Sequence, residues 1–279
     1  MPRPLKLICF ALASLFLTLL PQGLWTGLLA ANLKTGIGLP WAVPAMGGVL
    51  WLAWRYAGGD GPPSRTAEAR RIYRRANAVS PRAWGWALLA NGLALLALCG
   101  LWIVLFQLVK APGNAAADFS KYSPLTVAII IVSGAVVGAI AEEVGIRGYV
   151  QGALERVLPA PAAILLAALV LSPGHALTQG FVWSTLLFYV LVDVVYGVTA
   201  YLTNSVYPSI VAHAAGLSVF FLLIWPHDAA RKLATSGGVD AWFWIHLVQA
   251  LGFGGLAVWA FSRLAKVAVR PAAPAVAYA

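Results

Sequence analysis

Two adjacent carboxylates stand at the end of a long apolar run, and an arginine follows them. Glu142 and Glu143 close a run that begins near Pro124, and Arg147 comes four residues after Glu143. Ionisable side chains inside a membrane segment are costly, at about 2.5 to 3.5 kcal/mol each on insertion scales, so their presence suggests a function. The sequence therefore makes these three residues the first candidates for a reactive site.

Helical geometry separates the roles of the two glutamates. At about 100° per residue, Glu143 and Arg147 form an i,i+4 pair on one face, whereas Glu142 points about 100° away from Glu143. Arg147 can therefore hold Glu143 while Glu142 faces a cavity. Two neighbouring carboxylates also disfavour each other's ionisation, so one of them can act as a base near neutral pH. An ion cluster at a helix end on the membrane surface fits the same spacing.

The stretch around the pair resembles the first motif of a known family. It runs from Glu142 to Arg156 and reads Glu-Glu-x-x-x-Arg-Gly-Tyr-x-Gln-Gly-x-x-Glu-Arg. This is similar to the EExxxR motif of the CAAX protease and bacteriocin-processing (Abi) family of intramembrane endopeptidases, which includes the type II CAAX prenyl protease. The family pattern continues with FxxxH and then with HxxxN or HxxxD, each on another transmembrane helix. The resemblance covers residues 124–225 and implies an endopeptidase.

The second motif is altered in this chain. It reads Leu171-Ser-Pro-Gly-His175, with leucine in place of phenylalanine and a Pro-Gly pair that we expect to loosen the helix. If the chain turns near Leu158, Glu142 lies about 16 residues before the turn and His175 about 16 after it. Two antiparallel helices of equal rise then put both residues at one level. A lone membrane histidine would otherwise be interpreted as a packing residue.

The third motif contains His213, but Leu217 stands where the family has Asn or Asp. The resemblance implies that this polar group helps to polarise the substrate or the water. We therefore expect that role to be vacant or filled elsewhere, and the departure also fits a divergent or less active member. The candidate substitutes are Ser218, Ser172 and Asn204.

Composition makes the chain a polytopic membrane protein. Of its 279 residues, 61% are hydrophobic and 10% charged, and the mean hydropathy is +0.82. We expect an all-α bundle with about eight spans and no soluble domain. The expected spans are 5–31, 39–57, 84–109, 124–158, 160–177, 181–203, 207–225 and 241–265. The first run could be a signal peptide, but its length and the lack of an A-x-A site favour an uncleaved span.

The basic residues indicate an orientation rather than a nucleic-acid partner. The net charge is +10, but Lys and Arg sit in short loops, as the positive-inside rule expects. With both termini in the cytoplasm, 14 of the 19 Lys and Arg residues lie on the inner side. The basic segment 58–83 would lie on anionic headgroups or act only as a topology signal. We expect a bacterial inner-membrane protein.

Three parts follow from this organisation. Residues 1–123 hold the first spans and the basic loop, 124–225 the catalytic core, and 226–279 the last span with a disordered tail. Small residues from Ser133 to Gly152 give the fourth helix a closely packing face, which suits the centre of a bundle or, alternatively, a dimer contact.

The remaining polar residues have plainer interpretations. Asp193 could hold a histidine tautomer or make an interhelical hydrogen bond. His227 is expected to be solvated and His246 to pack or to lie at the interface. Cys9 and Cys99 have no metal-ligand spacing and are interpreted as packing thiols.

The expected reaction is hydrolysis of a peptide bond in a membrane-anchored peptide or protein. Glu142 would be the general base for a water, Glu143 with Arg147 would orient the site, and His175 and His213 would stabilise the oxyanion or position the water. We expect no cofactor. Two histidines and a glutamate could hold Zn²⁺, so a metalloprotease stays an alternative. A non-catalytic scaffold or bacteriocin-immunity protein, and a proton-relay transporter, are further alternatives.

Overall fold

The structure is a computed structural model. It describes residues 3–35, 37–110, 119, 122–179, 181–230 and 232–268. For residues 3–11, 13, 176–179 and 228–230 it describes the backbone alone. The tail that we expected to be disordered lies outside the described residues.

Every regular element in the described residues is helical, which confirms the all-α prediction. The main helices are α1 (Arg3–Thr35), α2 (Ala42–Ala57), α3 (Ala67–Arg74), α4 (Pro81–Leu108), α5 (Pro124–Glu142), α6 (Ala160–Gln179), α7 (Trp183–Thr203), α8 (Tyr207–Val219) and α9 (Ala241–Val267). A π-helical segment, Glu143–Gln151, continues α5, and a second one, Phe220–Ile224, continues α8.

The expected number of about eight spans agrees with the structure. Within the described residues, six helices are long and apolar enough to cross a membrane. These six involve α1, α4, α5 with its π-helical continuation, α7, α8 with its continuation, and α9. Ala160–His175 of α6 is a shorter apolar helix, and α2 has 16 residues. Each predicted span overlaps one of these eight helices, so the predicted number is approximately right.

Local sequence signals place several helix starts. Ser80 and Ser123 cap α4 and α5 by accepting hydrogen bonds from backbone N–H groups three residues later, and a proline follows each of them. Asp240 caps α9 in the same way. Such caps satisfy N–H groups that have no partner inside the helix, and proline fits the first helical position.

An aromatic cluster joins α4, α7 and α8. Trp102 is buried at its centre, with ring centroids of Phe188 and Phe220 each 4.7 Å away. Leu98 and Tyr189 belong to the same cluster. These large rings pack against one another between the three helices and set their spacing. They also form one wall of the cavity described below.

The small-residue face of α5 and its continuation receives three other helices. A Cβ added at Gly145 would collide with Thr18 of α1, and one at Gly148 with the carbonyl oxygen of Tyr73 in α3. Leu217 of α8 lies within contact distance of the Cβ position at Gly138. The prediction of a close-packed central helix is therefore correct, and its small-residue face is occupied within the chain.

The basic segment differs from a purely solvated loop. Arg70 is 6% exposed and donates to the carbonyl oxygens of Tyr56, Asp60 and Gly61 at the end of α2. Arg75 is equally buried. Arg70 is structural because the carbonyls at and just after the end of α2 need donors, and Arg75 is structural because it pairs with Glu155.

Candidate active site

The polar core of the bundle begins where α5 changes into the π-helical segment. We expected an α-helix up to residue 158, but residues 143–151 are π-helical, and a single short turn, Gly152–Leu154, precedes the bend into α6. π-helical turns inside helices are rare and are found often at functional sites. Glu142 is the last residue of α5, and Glu143 and Arg147 lie on the π-helical segment.

Glu143 is completely buried and joins α5 to α8. Its Oε1 is 2.9 Å from Nδ1 of His213 and 3.7 Å from Nε of Arg147. The Glu143–Arg147 proximity agrees with the i,i+4 expectation. The shorter contact, however, is to the histidine of the third motif, so Glu143 fixes the orientation of the His213 ring.

Arg147 has its shortest contact with Asp193 of α7. Nη2 of Arg147 donates to Oδ1 of Asp193 at 2.6 Å and to the Asp193 backbone oxygen at 3.2 Å. Ser172 of α6 donates to the other carboxylate oxygen of Asp193 at 3.2 Å. Asp193 therefore makes interhelical polar contacts, as the plainer of its two interpretations expected.

Glu142 reaches both motif histidines and a residue of α1. Its Oε1 accepts a hydrogen bond of 2.9 Å from Nε2 of Gln22. Its Oε2 lies 3.6 Å from Nε2 of His213 and 3.9 Å from Nε2 of His175. The expected meeting of Glu142 and His175 across the α5–α6 turn is thus present, although α6 continues through Pro173 instead of loosening there.

Several polar atoms of this site lack a hydrogen bond to any described residue. They are Oε2 of Glu142, Oε2 of Glu143, and Nε and Nη1 of Arg147. Buried polar atoms are normally paired with protein or with ordered water. The arrangement can therefore take up water between the glutamates, the arginine and the histidines.

Both histidine rings are stacked on tyrosines of α7. His213 lies on Tyr196 with ring centroids 4.5 Å apart, and His175 lies on Tyr189 at 4.0 Å. The interplanar angles are 18° and 14°, so the rings are nearly parallel. Stacking restricts the rotation of each imidazole and keeps its Nε2 directed to Glu142.

An apolar cavity of about 260 Å³ adjoins the histidines. His175, His213 and Asp193 line it, together with mostly apolar residues of α4, α7 and α8. Leu217, which replaces the expected Asn or Asp, is one of these lining residues. The departure from the motif therefore gives this wall of the cavity an apolar side chain.

The three candidate substitutes for that polar group are engaged elsewhere. Ser218 donates to the backbone of its own helix at Ala214, and Ser172 donates to Ala168 and Asp193. Asn204 ends α7 in a left-handed conformation and accepts from Arg75 at 3.3 Å.

The later residues of the first motif form a clamp on the basic side of the site. Arg75 makes two contacts with Glu155, at 2.8 and 3.1 Å, and donates to the backbone oxygen of Arg147. Gln151 donates to Glu155 at 2.7 Å and to the backbone oxygen of Gly197 at 2.9 Å. The clamp ties the segment after α3 and α7 to the π-helical segment, so these motif residues support the site from outside.

The zinc alternative would use Glu142, His175 and His213 as ligands. Among the described side chains, no group of three His, Cys, Asp or Glu residues is arranged so that it could hold a metal ion. Glu142 and the two histidines approach one another, but Oε1 of Glu142 is taken by Gln22, and the neighbouring Glu143 is paired with Arg147 and His213.

The two other histidines lie away from this centre, whereas Cys99 borders the cavity beside it. His227 is exposed in a short 3-10 helix, Trp225–Ala230, and His246 contacts Gln249 and Trp242 on α9. Cys99 lines the apolar cavity as a half-buried free thiol. The side chain of Cys9 lies outside the described residues.

Sequence reasoning missed Gln22. A signal for it exists, because Ser14, Thr18, Gln22 and Thr26 recur every four residues in an otherwise apolar helix. Such a spacing puts them on one face of α1. The contacts of Ser14 with Gly145 and of Gln22 with Glu142 show that this polar face is turned to the site.

Comparison with known proteins finds one family. Residues 124–217 match the model of the family described as "Type II CAAX prenyl endopeptidase Rce1-like". No curated protein and no solved structure matches the chain. The matched segment begins with α5 and ends at Leu217, so it includes Glu142, Glu143, Arg147, His175 and His213.

Proposed function

We propose that the chain is an intramembrane endopeptidase that uses a glutamate-activated water, because residues 124–217 match the model of the type II CAAX prenyl endopeptidase Rce1-like family. The family is a protease family, and the apolar helices make the chain an integral membrane protein. One observation carries the proposed mechanism. The buried Oε2 of Glu142 has no hydrogen-bond partner among the described residues and faces two histidines at 3.6 and 3.9 Å.

A water between these three groups would have enough polar partners. Buried waters make about three hydrogen bonds each, and Glu142 Oε2 with the two Nε2 atoms supplies that number. Glu142 takes a proton from the water while the water oxygen forms a bond to the peptide carbonyl carbon. The tetrahedral intermediate then breaks its C–N bond, and the proton on Glu142 passes to the leaving amine.

The histidines serve the developing oxyanion. His213 is held through Nδ1 by Glu143, and a protonated imidazole donates from both nitrogens. His175 is held by its stacking on Tyr189. Donors fixed before the reaction stabilise negative charge as it develops, and they do so most effectively where water is excluded. Arg147 holds Glu143 in place, and Asp193 in turn holds Arg147.

The cavity beside the histidines supports a membrane-associated substrate. Its lining is largely apolar and comes from α4, α7 and α8. A peptide whose scissile bond reaches the histidines could place an apolar group there. We infer a peptide or protein held in or at the bilayer as the substrate, without a nucleic-acid partner.

We place the basic side of the bundle in the cytoplasm. That orientation puts 14 of the 19 Lys and Arg residues inside, in accordance with the positive-inside rule. The termini, segment 58–83 and the clamp around Arg75 are then cytoplasmic. Glu142 lies in the cytoplasmic half of the membrane, in a bacterial inner membrane.

A comparison of protein termini tests the proposed reaction. Membranes from cells carrying the intact chain and from cells carrying Glu142→Gln, at equal expression, are analysed for the ends of their proteins. We expect some membrane-anchored proteins to keep an uncut terminus in Glu142→Gln, because loss of a general base slows hydrolysis by about 10²- to 10⁴-fold. Glu68→Gln is the matched control, since Glu68 lies on α3 and forms a solvent-exposed ion pair with Arg71 at 3.4 Å.

The same experiment tests the alternative of a non-catalytic scaffold, an alternative that the replacement of Asn or Asp by Leu217 favours. A scaffold tolerates Glu142→Gln because glutamine keeps the size of the side chain. Identical termini in the two membranes, with both proteins present and folded, would contradict proteolysis.

A further inference from the structure

We propose that Gln22 of α1 is a positioning residue for Glu142 and thus part of the site, although it lies outside the segment matched by the family. This inference rests on the proposed function. Nε2 of Gln22 donates to Oε1 of Glu142 at 2.9 Å, across 120 positions of the chain. A hydrogen bond from an amide to a carboxylate is charge-assisted and stronger than one between neutral groups.

The bond decides which carboxylate oxygen is available. Oε1 of Glu142 is used by Gln22, so Oε2 is the oxygen that faces His175 and His213. Without Gln22 the carboxylate could rotate about its last torsion, which has a broad energy minimum. Gln22 therefore keeps the reactive oxygen in line with the two histidines.

The attachment of α1 to the π-helical segment makes the position of Gln22 reproducible. Ser14 donates to the backbone oxygen of Gly145, and Thr18 occupies the space where a Cβ of Gly145 would stand. Further along α1, Trp25 packs on Gly134 of α5. Contacts on both sides of Gln22 thus fix its distance from Glu142.

The side-chain amide of Gln22 also has a second N–H donor. A side-chain amide nitrogen carries two hydrogens, and within the described residues Glu142 is the one hydrogen-bond partner of this amide. The second hydrogen can donate to the water or to a substrate oxygen. Gln22 is half-buried, which leaves room for such a partner. In this chain the amide stands beside the base, whereas the third motif has the apolar Leu217.

The test uses purified protein in vesicles that are fused with membranes from Glu142→Gln cells, whose uncut proteins serve as substrates. Gln22→Met keeps the length of the side chain and removes the donor. We expect cutting to slow by about 10- to 100-fold, as for other partners that orient a reactive ligand. Thr26→Val is the matched control, because Thr26 lies one turn further on the same face and is exposed. The thermal midpoints of both variants check the fold.

Gln22→Glu gives a result that a merely structural role would not produce. An ionised carboxylate cannot donate to Glu142, whereas a protonated one can, so the cutting rate relative to the intact chain should rise as the pH is lowered from about 8 to about 5. The other groups facing Glu142 are His175 from α6, His213 from α8, and Glu143 and Arg147 beside it. These groups are present in both proteins, so the intact chain measured at each pH is the reference.

The outcomes separate the two claims. If the intact chain does not cut any protein in these membranes, the proposed function fails. If it cuts and Gln22→Met cuts within twofold of it, the inference about Gln22 is wrong while the proposed function stands. Slow cutting by Gln22→Met with an unchanged thermal midpoint, together with the pH-dependent ratio of Gln22→Glu, supports the inference.

Discussion

At the scale of single residues, the site places four ionisable side chains in the buried core of the protein. Glu143, Arg147 and Asp193 are each at most 2% exposed, and Glu142 is 6% exposed. Arg147 contacts two of these three carboxylates. A buried ion pair gains little over an apolar pair, but removing one partner leaves an uncompensated charge. The stability of the core therefore depends on keeping Arg147 and its carboxylates together.

Replacing Asp193 tests this dependence. Asp193→Leu should destabilise the protein by about 3 to 5 kcal/mol, because Arg147 loses its 2.6 Å partner in a membrane core. Thermal or denaturant unfolding in detergent measures the change. Asp193→Asn serves as the comparison, since the amide oxygen can still accept from Arg147 while the amide NH2 can donate to the Ser172 hydroxyl. Equal stability of Asp193→Leu and the intact chain would show that the pair contributes nothing.

At the scale of elements, the π-helical segment is the part that brings three helices to the site. Its glycines allow α1 and α3 to approach at backbone distance, and its arginine reaches α7. The same segment carries Gln151, which fixes it to α7 and to Glu155. A change in this segment should therefore disturb α1, α3 and α7 together.

Two glycines one turn apart provide a matched pair of variants. Gly148→Ala puts a methyl group into the carbonyl oxygen of Tyr73, and backbone atoms cannot move aside cheaply. We expect a loss of about 1 to 3 kcal/mol in stability, as for other overpacked sites. Gly152→Ala meets Tyr73 Cδ1 at an ordinary 3.8 Å and should leave stability nearly unchanged. Unfolding midpoints compare the two, and equal midpoints would refute the close approach of α3.

At the scale of the whole molecule, helices outside residues 124–217 complete the site. Gln22 comes from α1, and the clamp uses Arg75, which follows α3. Leu98 and Trp102 of α4 line the apolar cavity. The matched segment alone would therefore lack a partner of Glu142 and one side of the cavity.

Cysteine labelling tests the proposed orientation of the bundle. In a chain with Cys9 and Cys99 changed to alanine, Ser64→Cys lies before α3 and Ser236→Cys lies between α8 and α9, and both positions are exposed. We expect a membrane-impermeant maleimide to label Ser236→Cys in intact cells and Ser64→Cys only after the membrane is opened, because the basic segment is retained inside. Labelling of Ser64→Cys in intact cells would reverse the orientation.

Hydropathy and local signals in the sequence were sufficient for the membrane class, for about eight helices and for several helix starts. Spacing also predicted the proximity of Glu143 to Arg147 and the common level of Glu142 and His175. These features depend on neighbours in the chain or on equal rise along two helices joined by a short turn. The π-helical segment was not predicted, because the apolar pattern does not distinguish it from an α-helix.

The sequence by itself determined a helical membrane protein with a few costly polar residues and a family resemblance that rests on them. Only the tertiary structure decided that Asp193 is the 2.6 Å partner of Arg147, that Gln22 holds Glu142, and that Leu217 lines an apolar cavity. Those contacts join residues 46 and 120 positions apart. They follow from the relative rotation and depth of packed helices, which the spacing along any single helix does not contain.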